Sequence, residues 1–367
     1  MGISSQQCFE QVKRQLTSIK QHTDTAISAT PFYAARLSTD QTMMLESRYR
    51  SGEEHLSPFE QMCVYAVEQA LDQCNVDVTS EDCILILSST KGNIEWLGKE
   101  SDERISLHYS AKLIAQHFSM KHKPVVVSNA CISGSLALIT GARFLQNGKY
   151  KTAIVIGCDR LSGFVLSGFH SFKAIADGPC RPFDKDRTGI NLGEAAACII
   201  LSNNVDDALN QPLAYLSGGG VSNDANHLSG PSRTGAELSA AIDAAINEAG
   251  IDFHKIDMIS AHGTATLFND EMEAKAITLS HLNKVPLHSL KSYVGHTLGA
   301  AGIIESIIAC MAMNEDIQPV SLGFNEIGVT EHVQVNTVSE NKPSEYILKT
   351  ASGFGGCNAA LVWKKCS

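Results

Sequence analysis

Short runs rich in valine and isoleucine alternate with longer segments of helical period along this chain, and the alternation occurs twice in the same order. Parallel strands can be joined only by a crossover lying on the face of the sheet, so this pattern predicts parallel sheets covered by helices. In the first part the expected strands are Cys83–Leu87, Pro124–Ser128, Thr152–Ile156 and Ala195–Leu201. In the second they are Pro212–Leu216, Ile256–Ser260, Pro286–Leu290, His332–Asn336 and Ala359–Trp363. Helices are expected near Gln7–Lys20, Pro58–Gln73, Gly134–Gln146, Gly235–Ala249, Glu271–Ser280 and Leu298–Met313.

Laid side by side, the two parts repeat. Helix 56–75 leads to the strand at Cys83, as helix 234–250 leads to the strand at Ile256. PVVVS then runs through Cys131 into a small-residue helix, while PLHSL runs through Lys291 and His296 into GAAGIIESIIA. Such a duplication predicts two similar α/β halves, 1–204 and 205–367, with the seam at the polar stretch NNVDDALNQ and sites at the C-terminal ends of matched strands. One strand is unaccounted for. The second half opens with PLAYLSGGGVSND, whereas the first has only Met1 to Ser5 before its helix, so its first strand is either vestigial or missing.

A length of 367 residues suits two such units, and the formal net charge of −10 argues against a nucleic-acid protein, which needs a basic face. The eleven cysteines include no CxxC, which fits reduced cytosolic thiols and a cytoplasmic protein better than a disulfide framework or a zinc site. No apolar run reaches the length of a membrane span. Met1-Gly2 does not make a myristoylation signal, because Gln6 stands where Ser or Thr is required.

Cys131 lies between an apolar strand and a helix whose first turn is made of small residues. A buried free cysteine is by itself an ordinary core residue. This context adds unpaired N–H groups and the positive end of a helix dipole, which favour a thiolate and can hold an oxyanion. His262 and His296 each follow an apolar strand in matching places. Each alone could be a packed residue; together with the cysteine they are placed to hold an enolate or take a proton. Lys291 and Glu305 are candidates for a buried pair. The turn Gly353-Phe354-Gly355-Gly356 lets backbone approach a ligand. It is not a dinucleotide fingerprint, since Asn358 closes it, and there is no GxxxxGK[ST], so no nicotinamide or nucleotide cofactor and no metal is expected.

Five ordered motifs, SNACISG around Cys131, PFDKDRTGINLGEAAA at 182–197, AHGTAT around His262 with Asp270, LKSYVGHTLGAAG, and GFGGCN at 353–358, resemble the β-ketoacyl-(acyl-carrier-protein) synthases from about residue 56 onward. The resemblance implies the thiolase fold, a five-layered αβαβα arrangement of two duplicated halves, usually dimeric. It implies that Cys131 carries the acyl group, that the N–H groups of Cys131 and Phe354 form the oxyanion hole, and that His262 and His296 stabilise the malonyl enolate as carbon dioxide leaves. Lys291 with Glu305 would hold the site electrostatically. Thr264 and Thr266 would contact a phosphopantetheine arm delivered by the carrier protein, and Phe354, between Gly353 and Gly355, would gate the acyl pocket.

Cys-His-His looks like the elongating, decarboxylating subclass. Three departures stand out: Asn129 and Ile132 where small residues are usual, with Ile132 expected to reshape the acyl pocket, and Asn269 in place of the glycine before Asp270. The chain is also short around residues 90–125, and looks somewhat like synthases of aryl-polyene and dialkylresorcinol pathways. The implied partners are acyl carrier protein in acyl and malonyl forms and a second chain, identical or related. Arg143, Lys149, Lys151, Lys121 and Lys123 are candidate docking cations, with Arg48 and Arg50 a second cluster. The competing readings are a non-condensing acyltransferase or thioesterase on the same thiol, and a tunnel-shaping subunit of a heterodimer.

Overall fold

The computed structural model describes residues 2–50, 55–225 and 230–366; Met1 lies outside them. Two sheets carry the architecture. The first is built from β1 (Cys83–Ser88), β2 (Val125–Val127), β3 (Thr152–Asp159) and β4 (Ala195–Ser202), in the order β2-β1-β3-β4, with β4 antiparallel. The second is built from β5 (Tyr215–Asn223), β6 (Ile256–Ser260), β7 (Leu287–His288), β8 (Tyr346–Gly353) and β9 (Cys357–Lys364), in the order β7-β6-β8-β9-β5. Dropping β5 makes the two orders identical, and β7, β6 and β8 are mutually parallel with β9 antiparallel, as in the first sheet.

The helices that position these sheets are α1 (Ser5–Lys13), α2 (Pro58–Leu71), α3 (Ser133–Gln146), α4 (Ala236–Ala249), α5 (Leu267–Leu279) and α6 (Ala301–Asn314). α3 and α6 lie between the sheets in one apolar core that joins Ile84, Val155, Leu138, Ile303, Ile308, Ile347 and Leu361. α2 covers the outer face of the first sheet, where Phe59 and Val64 meet Leu85 and Ile154. α4 and α5 cover the outer face of the second, where Leu238 and Ile277 meet Ile259 and Leu348. The result is the five-layer αβαβα order, with α2 in one outer layer and α4 and α5 in the other.

At the centre, the N-terminal ends of α3 and α6 cross in contact. A Cβ at Gly134 would lie 2.9 Å from Gly299 O, and one at Gly302 would lie 2.4 Å from Ser135 N, so only glycine lets the two backbones meet. This crossing brings the segment before each helix, Cys131 in one half and His296 in the other, to the same place.

Several elements differ from the sequence expectation. The first helix ends at Lys13, and Ile19–His22 pairs antiparallel with Phe32–Ala35 in a small peripheral sheet. β5 starts at Tyr215 and continues through its glycines, because a Cβ at Gly220 would lie 2.0 Å from Ala241 O of α4, so the strand packs on that helix only without side chains. Residues 332–336 form no strand, only a single bridge between Leu287 and Val335. β8, not expected at all, is the central strand of the second sheet. Among the described residues no strand pairs with the outer edge of β4, and α1 stands at the start of the chain instead.

Candidate active site

β2 ends at Val127, and the chain turns through Ala130 at φ 44 before entering α3. Cys131 sits in that turn, nearly buried. Beside it runs the end of β8: a Cβ at Gly353 would lie 2.9 Å from Cys131 N, so the glycine brings the 353–356 turn against the cysteine's backbone. β6 ends at Ser260 and delivers His262, whose N–H donates to Glu273 Oε1 at 2.8 Å and to Thr350 Oγ1 at 3.1 Å. His296 follows β7 and is fixed through its backbone, donating to Asn191 O at 2.7 Å and accepting from Gly193 N at 2.9 Å.

The Cys131 sulfur and one nitrogen of each imidazole lie within 4.8 Å of one another, all buried. The two rings meet edge to face with centroids 5.3 Å apart. Neither ring nitrogen of His296 has a hydrogen-bond partner among the described residues, and one of them belongs to the cluster with Cys131. Lys291 Nζ lies 3.2 Å from His262 Nδ1 and 2.7 Å from Glu305 Oε1. A cationic donor on Nδ1 makes that nitrogen the acceptor and leaves the ring proton on Nε2.

Burial holds both histidines well below the ordinary imidazole range, with Lys291 and Lys349 adding repulsion to each and His296 doing so to His262, so they are neutral. Burial also pushes the Cys131 thiol up to about 12, Cys357 reinforcing this while Lys291 and Lys91 pull it back. The thiolate expected from the helix end is therefore not the resting form. Burial keeps the proton on the sulfur, and the thiol must give it up as it reacts.

The remaining predicted residues occupy a ring around this cluster. Thr264 and Thr266 bond to each other through their hydroxyls at 2.8 Å, and Asp270 caps the loop by accepting from Thr264 N at 2.9 Å and Phe183 N at 2.8 Å. Asn269 adds a long contact to Asp270 at 3.4 Å. Burial pushes the Asp270 carboxyl up to about 6. The 182–197 motif thus ties to the His262 loop through Phe183, and Arg187 donates to Leu267 O at 3.2 Å. Phe354 is part-exposed and packs against Phe169 and Phe172 at 5.6 and 5.0 Å, an aromatic cluster over the turn, with Gly355 at φ 86 beyond it. Ile132 is buried in the central core as the N-cap residue of α3.

Sequence reasoning missed Lys349, Glu273 and Thr350. Lys349 is fully buried on β8 with Nζ 2.7 Å from Glu305 Oε2, and Glu273 receives the N–H groups of both His262 and Gly263. A single lysine inside the apolar run YILKTA was the available signal for the first. The candidate docking cations are also placed differently from the expectation. Arg143 is paired with Glu248, Lys151 with Asp82 and Lys121 with Glu81, while Arg48 is paired with Glu68. Arg143, Lys149 and Lys151 stand at or just beyond the C-terminal end of α3, the end opposite Cys131, about 20 Å away for a helix of this length.

Comparison with known proteins agrees with this geometry. The sequence profile of the Beta-ketoacyl synthase N-terminal domain matches residues 5–206, and that of the C-terminal domain matches residues 213–325. The 3-oxoacyl-(acyl-carrier-protein) synthase 2 of Vibrio cholerae is 30% identical over 256 residues, 66% of this chain and 62% of the relative, so that alignment spans less than two thirds of the relative's length. The synthase 2 of Coxiella burnetii is 25% identical over 83% of this chain and 81% of the relative. Among solved structures, a ketosynthase in complex with its chain length factor from Xenorhabdus doucetiae has a TM-score of 0.84 at 24% identity, covering 100% of this chain and 95% of that one. A β-ketoacyl synthase from Burkholderia phymatum has a TM-score of 0.85 at 23% identity, covering 98% of this chain and 94% of that one.

Proposed function

The chain belongs to the β-ketoacyl synthase family, and on that premise we propose that it carries out decarboxylative condensation of an acyl group held on Cys131 with a malonyl group delivered by an acyl carrier protein. The observation that carries this reading is the convergence of one buried thiol from the first half, residues 1–204, with two neutral imidazoles from the second, residues 205–367.

In the first step the Cys131 sulfur attacks the acyl thioester. Its proton passes by way of the neutral His296 imidazole, whose ring nitrogens have no partner among the described residues, to the departing carrier thiol, so the acyl group changes sulfurs and no net charge is left in the site. N–H groups of Cys131 and Phe354 take the oxyanion, as the approach of Gly353 to Cys131 N supports. In the second step the bond between the malonyl α-carbon and its carboxylate breaks. Carbon dioxide leaves, and the electron pair forms an enolate whose oxygen accepts from the Nε2–H of His262 and from His296. The α-carbon then attacks the acyl carbon on Cys131, expelling the sulfur as a thiolate, which takes up the one proton from solvent that decarboxylative condensation consumes. Two enolate donors are superfluous for hydrolysis or simple acyl transfer, which argues against the thioesterase and acyltransferase readings.

Thr264 and Thr266, held in place by the buried Asp270, would form the ledge along which a phosphopantetheine arm lies, with the Phe169, Phe172 and Phe354 cluster at its mouth. The carrier protein would dock on that face. A second ketosynthase-like chain is the further proposed partner; a solved structure of similar fold is described as a ketosynthase with its chain length factor. A cytoplasmic setting is consistent with eleven free thiols, and no helix among the described residues is long and apolar enough to cross a membrane.

Intact-protein mass spectrometry tests the reading. Wild type and Cys131→Ala are mixed with a panel of acyl carrier proteins and then chased with malonyl carrier protein. Wild type alone should gain the acyl mass and then yield a β-ketoacyl product. Acylation followed only by hydrolysis would move the assignment to a thioesterase.

A further inference from the structure

One carboxylate in the site serves two lysines. Glu305 on α6 presents Oε1 to Lys291 and Oε2 to Lys349, each at 2.7 Å, and all three side chains are buried. Lys291 belongs to the segment that leads to His296, while Lys349 comes from β8, where it stands in register beside Ser260, the last residue of the strand that delivers His262. Its ammonium also approaches the carbonyl of Ser260 at 3.3 Å and that of Thr350. The lysine is thus anchored to the backbone that carries His262 and, through Glu305, to the group that touches His262 Nδ1.

We infer that Lys349 is a positioning residue for the decarboxylating half of the reaction: by holding Oε2 of Glu305 it aims Oε1 at Lys291, and so keeps Lys291 on His262 Nδ1 with the ring proton on Nε2, facing the substrate. This rests on the proposed condensation. A carboxylate held by Lys291 alone can rotate about its last bond and release that lysine from the imidazole. Held at both oxygens it cannot rotate without breaking a buried ion pair. Acylation of Cys131 makes no demand on this chain of contacts, since its oxyanion is held by backbone and its proton passes through His296, which lies outside the chain. Decarboxylation does, because the enolate oxygen needs an N–H that is already in place.

Lys349 faces two carboxylates, Glu305 and Glu273, a second cation, Lys291, and three buried imidazoles, His262, His296 and His288. Removing its charge takes a repelling cation away from all three rings, so they protonate at higher pH than in wild type.

The test compares Lys349→Met, Lys349→Arg and Glu305→Gln with wild type, measuring acylation of Cys131 and carbon dioxide release from malonyl carrier protein separately. Lys349→Met should keep acylation within about threefold, lower carbon dioxide release by about tenfold or more, and move the acid limb of the condensation profile to higher pH. Lys349→Arg should restore part of the loss. In the Glu305→Gln background, Lys349→Met should add little, because the two act through one link. Equal losses in both half-reactions would reduce Lys349 to a packing residue and overturn the assignment, as would no loss in either. Nitrogen-15 NMR of His262 keeps the inference separate from the proposed function: wild type should show the proton on Nε2 alone and Lys349→Met a mixture of tautomers. Identical tautomer populations would refute it even for a chain that releases no carbon dioxide, a result that would overturn the condensation reading by itself.

Discussion

The two halves share strand order and crossover helices but differ at one edge. In the second sheet β5 pairs with β9 along its length, and β9 is buried from Cys357 to Trp363. In the first, β4 occupies the place of β9, yet only Ala197 of it is fully buried. Its free edge lines a groove of about 1220 Å³ with Ile3, Tyr65, Leu145, Leu213 and Ile307. The difference teaches where this fold keeps its constraints. Cys131 and His296 are placed by the ends of β2 and β7 and by the crossing of α3 and α6, on the far side of each sheet from β4 and β5. The edge can therefore differ between halves while the site stays symmetric about its centre.

If the centre is where the halves depend on each other, filling it should do the most damage. Gly302→Leu puts side-chain carbons into the backbone of α3 and should cost about 3 kcal/mol or more, enough to lower Tm by several degrees in a thermal melt. An unchanged Tm would mean that the helices do not meet as described.

The second consequence concerns what one half does to the other's nucleophile. With the Cys131 thiol raised to about 12, its alkylation by iodoacetamide should rise about tenfold per pH unit from pH 7 to 10 with no plateau. A plateau near neutrality would show a resting thiolate and return the helix dipole to the leading role. Condensation, by contrast, needs neutral imidazoles. Both are held well below 6.5, so activity should persist as pH falls through that value and decline only below it.

Hydrogen exchange reads the edge directly. Amides of β4 that face the groove should exchange at least about tenfold faster than those of β9, because an unpaired edge opens locally. Equal protection would mean that something covers β4 in solution. The smallest effect is expected from Lys151→Ala. Paired with Asp82 beyond the far end of α3, Lys151 should leave carrier-protein affinity within about twofold at low salt.

The repeated order of elements and the three converging residues could be read from the sequence, because the strands that lead to Cys131, His262 and His296 are apolar runs followed by small or polar turns. β8 escaped because Lys349 and Thr350 interrupt its apolar run, and the reason for the interruption is a carboxylate 44 residues away on α6. β5 was placed too early because its glycines count against a strand unless α4 is known to lie on them. His332–Asn336 has the alternation of a strand but finds a partner at only one position. The charge state of Cys131 was misjudged for a related reason: a helix end is visible in sequence, whereas the depth of burial around it is assembled from both halves.

The central claim is that the first half holds the acyl group and the second half breaks the malonyl carbon–carbon bond. The direct test is to measure acylation and carbon dioxide release side by side in wild type and in the His262→Ala, His296→Ala double variant. The account predicts a double variant that gains the acyl mass on Cys131 more slowly, for want of an imidazole to relay the thiol proton, but whose loss of carbon dioxide release is far larger, at least about a hundredfold. Release at the wild-type rate would contradict it.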